Sequence, residues 1–81
     1  MKTAKYFSAT WCGPCRVFKP VVQEAIDEGH SIEMVDIDEN MTLAQQYQIM
    51  SVPTLVIEQD GQVVDSVVGS TTKEDLIQRL S

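Results

Sequence analysis

The sequence predicts an α/β fold in which a four-stranded mixed sheet is flanked by helices, in the order β-α-β-α-β-β-α. Two strand-like runs are each followed by a helical pattern, and an Asp-Gly pair later joins two further strands ahead of a last helix. A strand, a helix and a strand in succession form a right-handed parallel unit, whereas an Asp-Gly turn joins antiparallel strands. The two halves of the chain together therefore predict a mixed sheet with helices on its faces.

The length and charge of the chain limit its class of function. Its 81 residues are enough for a single core, so we predict one domain over residues 1–81. The chain has 12 acidic and 6 basic residues and a net charge of −6, which argues against a nucleic acid as a direct partner. Met1–Lys5 lacks the apolar region of a signal peptide, and no apolar run approaches the ~20 residues of a membrane span. We therefore expect a cytoplasmic protein with no membrane partner.

The first strand and the first helix have clear local signals. Lys2–Phe7 contains no breaker and has aromatic residues near its end, which is typical of a strand. A helix is predicted from about Gly13 to Glu28, with Gly29 as a candidate C-cap. Pro20 lies inside this helix and predicts a kink near Arg16, because proline removes one internal hydrogen bond. The apolar face of the helix contains Val17, Phe18, Val21, Val22, Ala25 and Ile26.

A second strand and a short helix follow. Ser31–Ile37 alternates apolar and acidic residues and predicts a strand. Asn40 is predicted to cap a helix that runs through Tyr47. Leu43, Ala44 and Tyr47 are expected to face the core on this helix.

The last three elements depend on turn signals. Thr54–Glu58 predicts a third strand, and Asp60-Gly61 has the type I′ signature that joins it to a fourth strand over Gln62–Val68. Gly69 ends that strand. Thr71–Glu74 resembles a capping box and predicts a short terminal helix after it. The apolar residues of this helix are Leu76, Ile77 and Leu80.

A Cys-x-x-Cys pair lies where the first strand meets the first helix. The N-terminus of a helix has unpaired N–H groups and a partial positive charge, which favours a thiolate at Cys12. Lowering a thiol pKa from ~8.5 to ~7 takes ~2 kcal/mol, which a helix terminus and neighbouring donors can supply. Cys15 is three residues further on the same helical face and can close a small disulfide with Cys12. The pair can therefore cycle between a dithiol and a disulfide.

The alternative interpretations of the cysteine pair are half of a zinc site or two unrelated buried thiols. A structural zinc needs four ligands, and beyond the two cysteines the chain offers only His30. Pro14 within the first turn also suits the start of a helix. We interpret His30 as a solvated residue at the helix C-terminus and Met34, Met41 and Met50 as core or groove residues. The sequence therefore favours redox chemistry over metal binding.

Further motifs extend this pattern along the chain. Trp11–Cys15 reads WCGPC, Pro20 follows in the helix, and Val35–Asp38 reads VDID at the end of the second strand. Tyr47–Thr54 contains Ser-Val-Pro-Thr just before the third strand, and Gly69 follows the fourth. This pattern resembles the thioredoxin family over nearly the whole chain.

The resemblance implies specific roles for the active-site residues. Cys12 is expected to be an exposed nucleophile and Cys15 a buried resolving thiol. Pro53 corresponds to the cis-proline of the family, and Val52 before it is expected to offer backbone groups to the substrate chain. The implied substrate groove is shallow and apolar and is lined by Trp11, Gly13, Pro14, Val52, Pro53 and Gly69.

The resemblance also implies an activity and its partners. Thiolate exchange through Cys12 and Cys15 would reduce protein disulfides, and a thioredoxin reductase would restore the dithiol with electrons from NADPH, without a bound cofactor. Gly-Pro between the cysteines resembles the reducing members of the family. The expected clients are disulfide-containing proteins such as ribonucleotide reductase, and the expected state is a monomer. A glutathione-coupled, glutaredoxin-like reductase and a non-redox binding subunit are the two alternatives.

The chain departs from the family pattern at two positions near the cysteines. The family usually has a buried aspartate six residues before the first cysteine and a lysine paired with it, and here these positions are Tyr6 and Met34. A phenol with a pKa near ~10 is a poor base at neutral pH. We therefore hypothesise that Cys15 resolves the mixed disulfide more slowly, or at higher pH, than in members with the aspartate. Asp36 and Asp38 are interpreted as polar strand-end residues, with Asp38 as a possible modulator of the site.

The chain is also similar in length to glutaredoxins. It starts at the strand before the cysteines, so we expect the opening strand and helix of full-length thioredoxins to be absent. Glutaredoxins usually have Pro-Tyr between the cysteines, a Gly-Gly pair before the last helix and basic residues for glutathione. This chain has Gly13-Pro14, a single Gly69 and only Arg16 and Lys19 nearby. A compact thioredoxin is the better match.

Overall fold

The computed structural model describes residues 1–81 and confirms the predicted fold class and order of elements. All boundaries lie within one residue of those predicted. The elements are β1 Lys2–Ser8, α1 Gly13–Asp27, β2 Ile32–Asp36, α2 Met41–Gln46, β3 Thr54–Gln59, β4 Gln62–Val68 and α3 Lys73–Leu80.

The four strands form one mixed sheet in the order β2-β1-β3-β4. β1 is parallel to β2 and antiparallel to β3, and β4 is antiparallel to β3. The strand that leads to the cysteines therefore lies inside the sheet, with a neighbour on each side. Tyr6 is paired in register with Met34 on β2 and with Leu55 on β3.

Helices cover both faces of the sheet because successive strand residues point to opposite faces. Tyr6 on one face packs in the main core cluster with residues of α1 and α3, including Phe18 and Leu76. Phe7, the next residue, packs on the other face in a cluster that includes Leu43 and Tyr47 around α2. The inward positions predicted on α2 are thus confirmed for these two side chains.

Two glycine signals in the sequence have the predicted conformations. Gly29 has φ +100° after the end of α1, its N–H donates to the Ile26 carbonyl, and the N–H of His30 donates to the Ala25 carbonyl. These two bonds form the Schellman motif that ends a helix. Asp60 and Gly61 both have positive φ, of 53° and 83°, as a type I′ turn requires.

Two predicted helix caps are corrected by the structure. Asn40 occupies the N-cap position of α2, but its side chain makes no capping bond and instead donates to the Asp36 carbonyl at 3.2 Å. The N-cap of α3 is Thr72, not Thr71, because the Thr72 hydroxyl accepts the N–H of Asp75 at 3.1 Å. A first-turn aspartate at this spacing takes the place of the predicted glutamate. Pro20 lies inside α1, and the kink near Arg16 stays a prediction.

The sheet face beside α2 contains a partly buried ionic network that the sequence did not predict. The Glu58 side chain on β3 accepts hydrogen bonds from Lys5 Nζ at 2.7 Å and from the Tyr47 hydroxyl at 2.6 Å. The Lys5 bond is the main cause that lowers the pKa of Glu58, and the Tyr47 bond lowers it further. The same bonds raise the pKa of Lys5 and of Tyr47.

Candidate active site

The two cysteines lie at the N-terminus of α1, directly after the loop that leaves β1. Cys12 is the N-cap residue, with extended backbone, and its Sγ accepts the N–H of Cys15 at 3.2 Å. Pro14 lies in the first turn, as predicted. Cys12 and Cys15 are joined in a disulfide with their Cα atoms 5.3 Å apart. The sequence spacing therefore produces the small ring that was expected.

Both cysteines are buried in this disulfide form. Cys12 is 4% exposed and Cys15 is 3% exposed, so the prediction of an exposed Cys12 is wrong for the oxidised protein. Burial results from the packing of Ala9, Ile37 and Val52 around the ring. Exposure thus does not distinguish the two sulfurs, and the surroundings of each sulfur must do so.

The surface beside Cys12 is formed by Trp11 and by the loop before β3. Trp11 is 65% exposed, which excludes a core role, and its indole N–H donates to Asp38 Oδ2 at 2.9 Å. The Val52 carbonyl oxygen lies 3.7 Å from Cys12 Sγ. Asp38 therefore contacts the predicted groove wall rather than a sulfur.

The remaining predicted groove residues surround the proline of this loop. The Val52–Pro53 peptide bond is cis, as the resemblance implies, and Pro53 is buried. Gly69 has φ +93°, and its N–H donates to the Pro53 carbonyl at 2.8 Å. That N–H is therefore not free to bind a substrate chain. Gly13 and Pro14 are exposed at the start of α1.

Tyr6 and Met34 lie next to Cys15, where the sequence comparison placed them. Tyr6 is fully buried, and its hydroxyl donates to the Cys15 carbonyl oxygen at 2.9 Å. Burial raises the pKa of the Tyr6 phenol, so it remains protonated at neutral pH. Tyr6 thus binds the main chain of α1, and Met34 beside it is uncharged.

A cavity of about 370 Å³ borders Cys15, and we call it the inner cavity. Its wall is formed by the ends of β1 and β2 and by the first turns of α1. Arg16, whose guanidinium donates to the Thr10 carbonyl at 3.1 and 2.7 Å, lies on this wall. The wall also contains Lys19, Met34 and Asp36.

Comparison with known proteins agrees with this geometry. Residues 4–81 match the sequence model of the thioredoxin family. The chain belongs to the thioredoxin family. Thioredoxin from Staphylococcus aureus is 51% identical over 77 residues, covering 91% of this chain and 74% of that protein.

Solved structures of the family have the same fold. A mutant thioredoxin from Halobacterium salinarum superimposes with a TM-score of 0.88 at 38% identity, covering 98% of this chain and 71% of that one. Thioredoxin from Fasciola hepatica gives a TM-score of 0.90 at 32% identity, covering 99% of this chain and 81% of that one. The four-stranded sheet and its helices are thus a thioredoxin fold.

Family membership establishes the general chemistry. The chain is a thiol-disulfide oxidoreductase of the disulfide reductase type, with a redox-active disulfide between Cys12 and Cys15. Thioredoxins use this disulfide without a prosthetic group and generally interact with a thioredoxin reductase and with disulfide-containing clients.

Other features of the thioredoxin surface lie outside the disulfide site. The largest cavity, about 530 Å³, lies between the loop after α2 and β4 and is not lined by a cysteine. No group of three or more His, Cys, Asp and Glu side chains could hold a metal ion. None of the helices is both long enough and apolar enough to span a membrane.

Sequence reasoning missed two contacts that shape the site. Arg16 binds the Thr10 carbonyl and so fixes the loop before the cysteines, and Asp38 fixes the indole of Trp11. The VDID motif contained a signal for the second contact, since it places an acid at the same edge of the sheet. The position of Arg16 gave no such signal, because a residue directly after a Cys-x-x-Cys can point in several directions.

Proposed function

We propose that this chain reduces protein disulfides with Cys12 as the nucleophile and Cys15 as the resolving thiol, and that a thioredoxin reductase restores its dithiol with electrons from NADPH. The observation that carries the proposal is the position of Cys12 Sγ at the N-cap of α1, where it accepts the Cys15 N–H at 3.2 Å. That donor and the helix dipole favour the thiolate, which is the nucleophile in disulfide exchange.

The first step is attack on a client disulfide. The Cys12 thiolate forms a bond to one client sulfur, and the other client sulfur leaves as a thiolate that takes a proton from solvent. Cys12 borders the Trp11 and Val52 surface, which supports its role as the thiol that meets the client. The product is a mixed disulfide between Cys12 and the client.

The second step releases the client. The Cys15 thiolate attacks Cys12 Sγ, the intramolecular disulfide forms, and the second client sulfur leaves with the electron pair of the broken bond. The client gains two electrons and the protein loses two. Cys15 suits this role because it lines the inner cavity instead of the client-facing surface. A reductase then returns two electrons to the pair.

The client would bind in an extended conformation across a shallow surface. None of the cavities includes Trp11, Cys12, Val52, Pro53 or Gly69, which is consistent with broad specificity. Main-chain groups beside the cis peptide bond would pair with the client backbone. Gly69 would contribute to this surface by its shape, since its N–H is bonded to Pro53.

The rest of the proposal concerns context. The chain would act as a single domain, residues 1–81, in the cytoplasm, with clients such as ribonucleotide reductase. Its net charge of −6 disfavours self-association, which supports a monomer.

A coupled assay tests this function. NADPH oxidation is followed with a model disulfide protein as acceptor, with thioredoxin reductase in one cuvette and glutathione plus glutathione reductase in the other. We expect turnover only in the first cuvette, lost in Cys15→Ser, whose mixed disulfide with the client should accumulate. Turnover only with glutathione would assign the chain a glutaredoxin-like activity. A non-redox binding subunit would be favoured by two results together: no NADPH oxidation with any of several reductases, and a partner complex that still forms when both cysteines are replaced.

A further inference from the structure

The inner cavity borders Cys15 but not Cys12. Cys15 is one of the residues that line it, whereas Cys12, Trp11 and Val52 are not. Although Cys15 is only 3% exposed in the disulfide form, the cavity therefore brings solvent against this residue and not against Cys12. The volume of about 370 Å³ is large enough for several water molecules.

The proposed function requires Cys15 to lose a proton before it attacks Cys12, and the inference below rests on that role. The ionisable groups facing it are few. β1 contributes Tyr6, whose hydroxyl is bonded to the Cys15 carbonyl. β2 contributes Asp36, and α1 contributes Arg16 and Lys19. None of these side chains is hydrogen-bonded to the Cys15 sulfur, so we take cavity water as the proton acceptor.

The charges on the cavity wall affect how readily the Cys15 thiol loses its proton. Lys19 is four residues after Cys15 on α1, so the two side chains lie on the same helical face and line the same cavity. Arg16 adds a second cation, although its guanidinium is held by the Thr10 carbonyl. Asp36 opposes them, and its carboxylate already accepts the N–H of Asp38 at 2.8 Å. Two cations against one anion leave a positive wall.

We propose that the inner cavity is the route by which the Cys15 thiol releases its proton to water, and that Lys19 is the positioning residue whose charge favours the Cys15 thiolate. The proton passes from the Cys15 sulfur to cavity water and then to bulk solvent. The thiolate keeps the electron pair and uses it to form the bond to Cys12 Sγ. The client thiolate that leaves is protonated by solvent, so the step needs no further reactant.

The test measures Cys15 ionisation directly. In a Cys12→Ser background Cys15 is the only cysteine, and the ultraviolet absorbance of its thiolate is followed against pH. Lys19→Gln removes the wall charge, Lys19→Arg keeps it, and Asp36→Asn removes the opposing charge. Lys2→Gln is the matched control, since Lys2 lies at the far end of β1, about 20 Å from the cavity at ~3.3 Å per strand residue.

We expect Lys19→Gln to lower the thiolate fraction at neutral pH about two- to threefold. This is the effect of removing one unit charge about 6 Å away in a solvent-exposed setting. Lys19→Arg should match the parent, Asp36→Asn should raise the fraction, and Lys2→Gln should change it little. High salt should shrink the Lys19 effect, because the side chain is exposed. With Cys12 restored, Lys19→Gln should slow the decay of the mixed disulfide by a similar factor.

Other results would overturn the proposal. Equal titrations for Lys19→Gln and Lys2→Gln would show that the wall charge does not act on Cys15. A shift that salt leaves unchanged would point to a structural change instead. Because the Cys12→Ser background cannot turn over, this titration is independent of the reductase assay. A negative titration result would not contradict the proposed disulfide reduction, and a negative reductase assay would not contradict the effect of Lys19 on Cys15.

Discussion

Replacement of Glu58 by glutamine tests whether the partly buried ionic network of Lys5, Tyr47 and Glu58 stabilises the fold. Glu58 is 7% exposed, and its two carboxylate oxygens accept separate bonds, one from Lys5 at 2.7 Å and one from Tyr47 at 2.6 Å. Glutamine has nearly the same shape, but it offers one acceptor oxygen instead of two and carries no charge. One of the two donors therefore loses its partner, and the other keeps a weaker bond to an uncharged acceptor.

The loss follows from the two bonds. A hydrogen bond to a charged group contributes about 1.5–3 kcal/mol, and a neutral bond contributes about 1 kcal/mol. Loss of one charge-assisted bond removes about 1.5–3 kcal/mol, and the other bond is weakened because its acceptor is no longer charged, so we expect the free energy of unfolding to fall by at least about 2 kcal/mol. For a domain of this size about 1 kcal/mol corresponds to about 4–8 °C, which predicts a fall in Tm of at least about 8–16 °C.

The pH dependence of this loss has a definite sign. The bond from Lys5, followed by that from Tyr47, lowers the pKa of Glu58 from its ordinary value of 4.5. A lowered carboxyl pKa gives stability that is fully present above the unfolded value and is lost as the pH falls through the folded value. The difference between wild type and Glu58→Gln should therefore shrink as the solution is acidified from about pH 5 towards about pH 2.

Urea unfolding of the oxidised protein, followed by circular dichroism at neutral and acid pH, measures this difference. Glu33→Gln is the matched control, because Glu33 is 64% exposed and lies 3.9 Å from the same Lys5 Nζ. An exposed pair of this kind contributes at most about 1 kcal/mol. The reasoning would be refuted if Glu58→Gln cost no more than Glu33→Gln, or if its cost were the same at both pH values.

Four further predictions concern the end of α1 and the residues around the cysteines. Gly29→Ala should cost about 1 kcal/mol in urea unfolding, because φ +100° strains any residue with a Cβ. Asp38→Ala should free the Trp11 indole, and a lower anisotropy of tryptophan fluorescence would report it. Tyr6→Phe should cost about 1 kcal/mol but leave the pH profile of mixed-disulfide decay unchanged, because the phenol binds the Cys15 carbonyl. Tyr6→Asp should move that profile to lower pH, and identical profiles would contradict our hypothesis about Cys15.

The element boundaries could be predicted because their signals are local. Phe18, Val22 and Ala25 of the apolar repeat lie on the buried face of α1, although Val17 of the same predicted face is 76% exposed. Gly29 and the Asp60-Gly61 pair have the positive φ that glycine-rich turns require. The cap of α3 was misplaced by one residue because Thr71 and Thr72 are adjacent and each has an acid three residues later. Only the structure shows that the Thr72 hydroxyl makes the bond.

The ionic network could not be predicted because its members come from three different elements. Glu58 in an alternating strand would ordinarily be assigned to the solvent side, but the β3 sequence is buried on both faces by its central position. The cation that pairs with Glu58 is determined by the register of β1 against β3. Lys5 is paired with Val56 in that register, so its side chain lies on the same face as Glu58.

The active-site positions were predicted through the resemblance, but the direction of their side chains was not. The sequence places Tyr6 and Met34 beside Cys15, and the structure adds that the phenol is bonded to the main chain and that Arg16, Lys19 and Asp36 line the same cavity as Cys15. The Cys12 sulfur accepts a main-chain N–H that is fixed by the helix. Cys15 instead lines a cavity whose two cationic side chains, Arg16 and Lys19, are exposed. Under the mechanism that we propose, attack on a client would therefore be controlled by the backbone, and release of the client by surface charge.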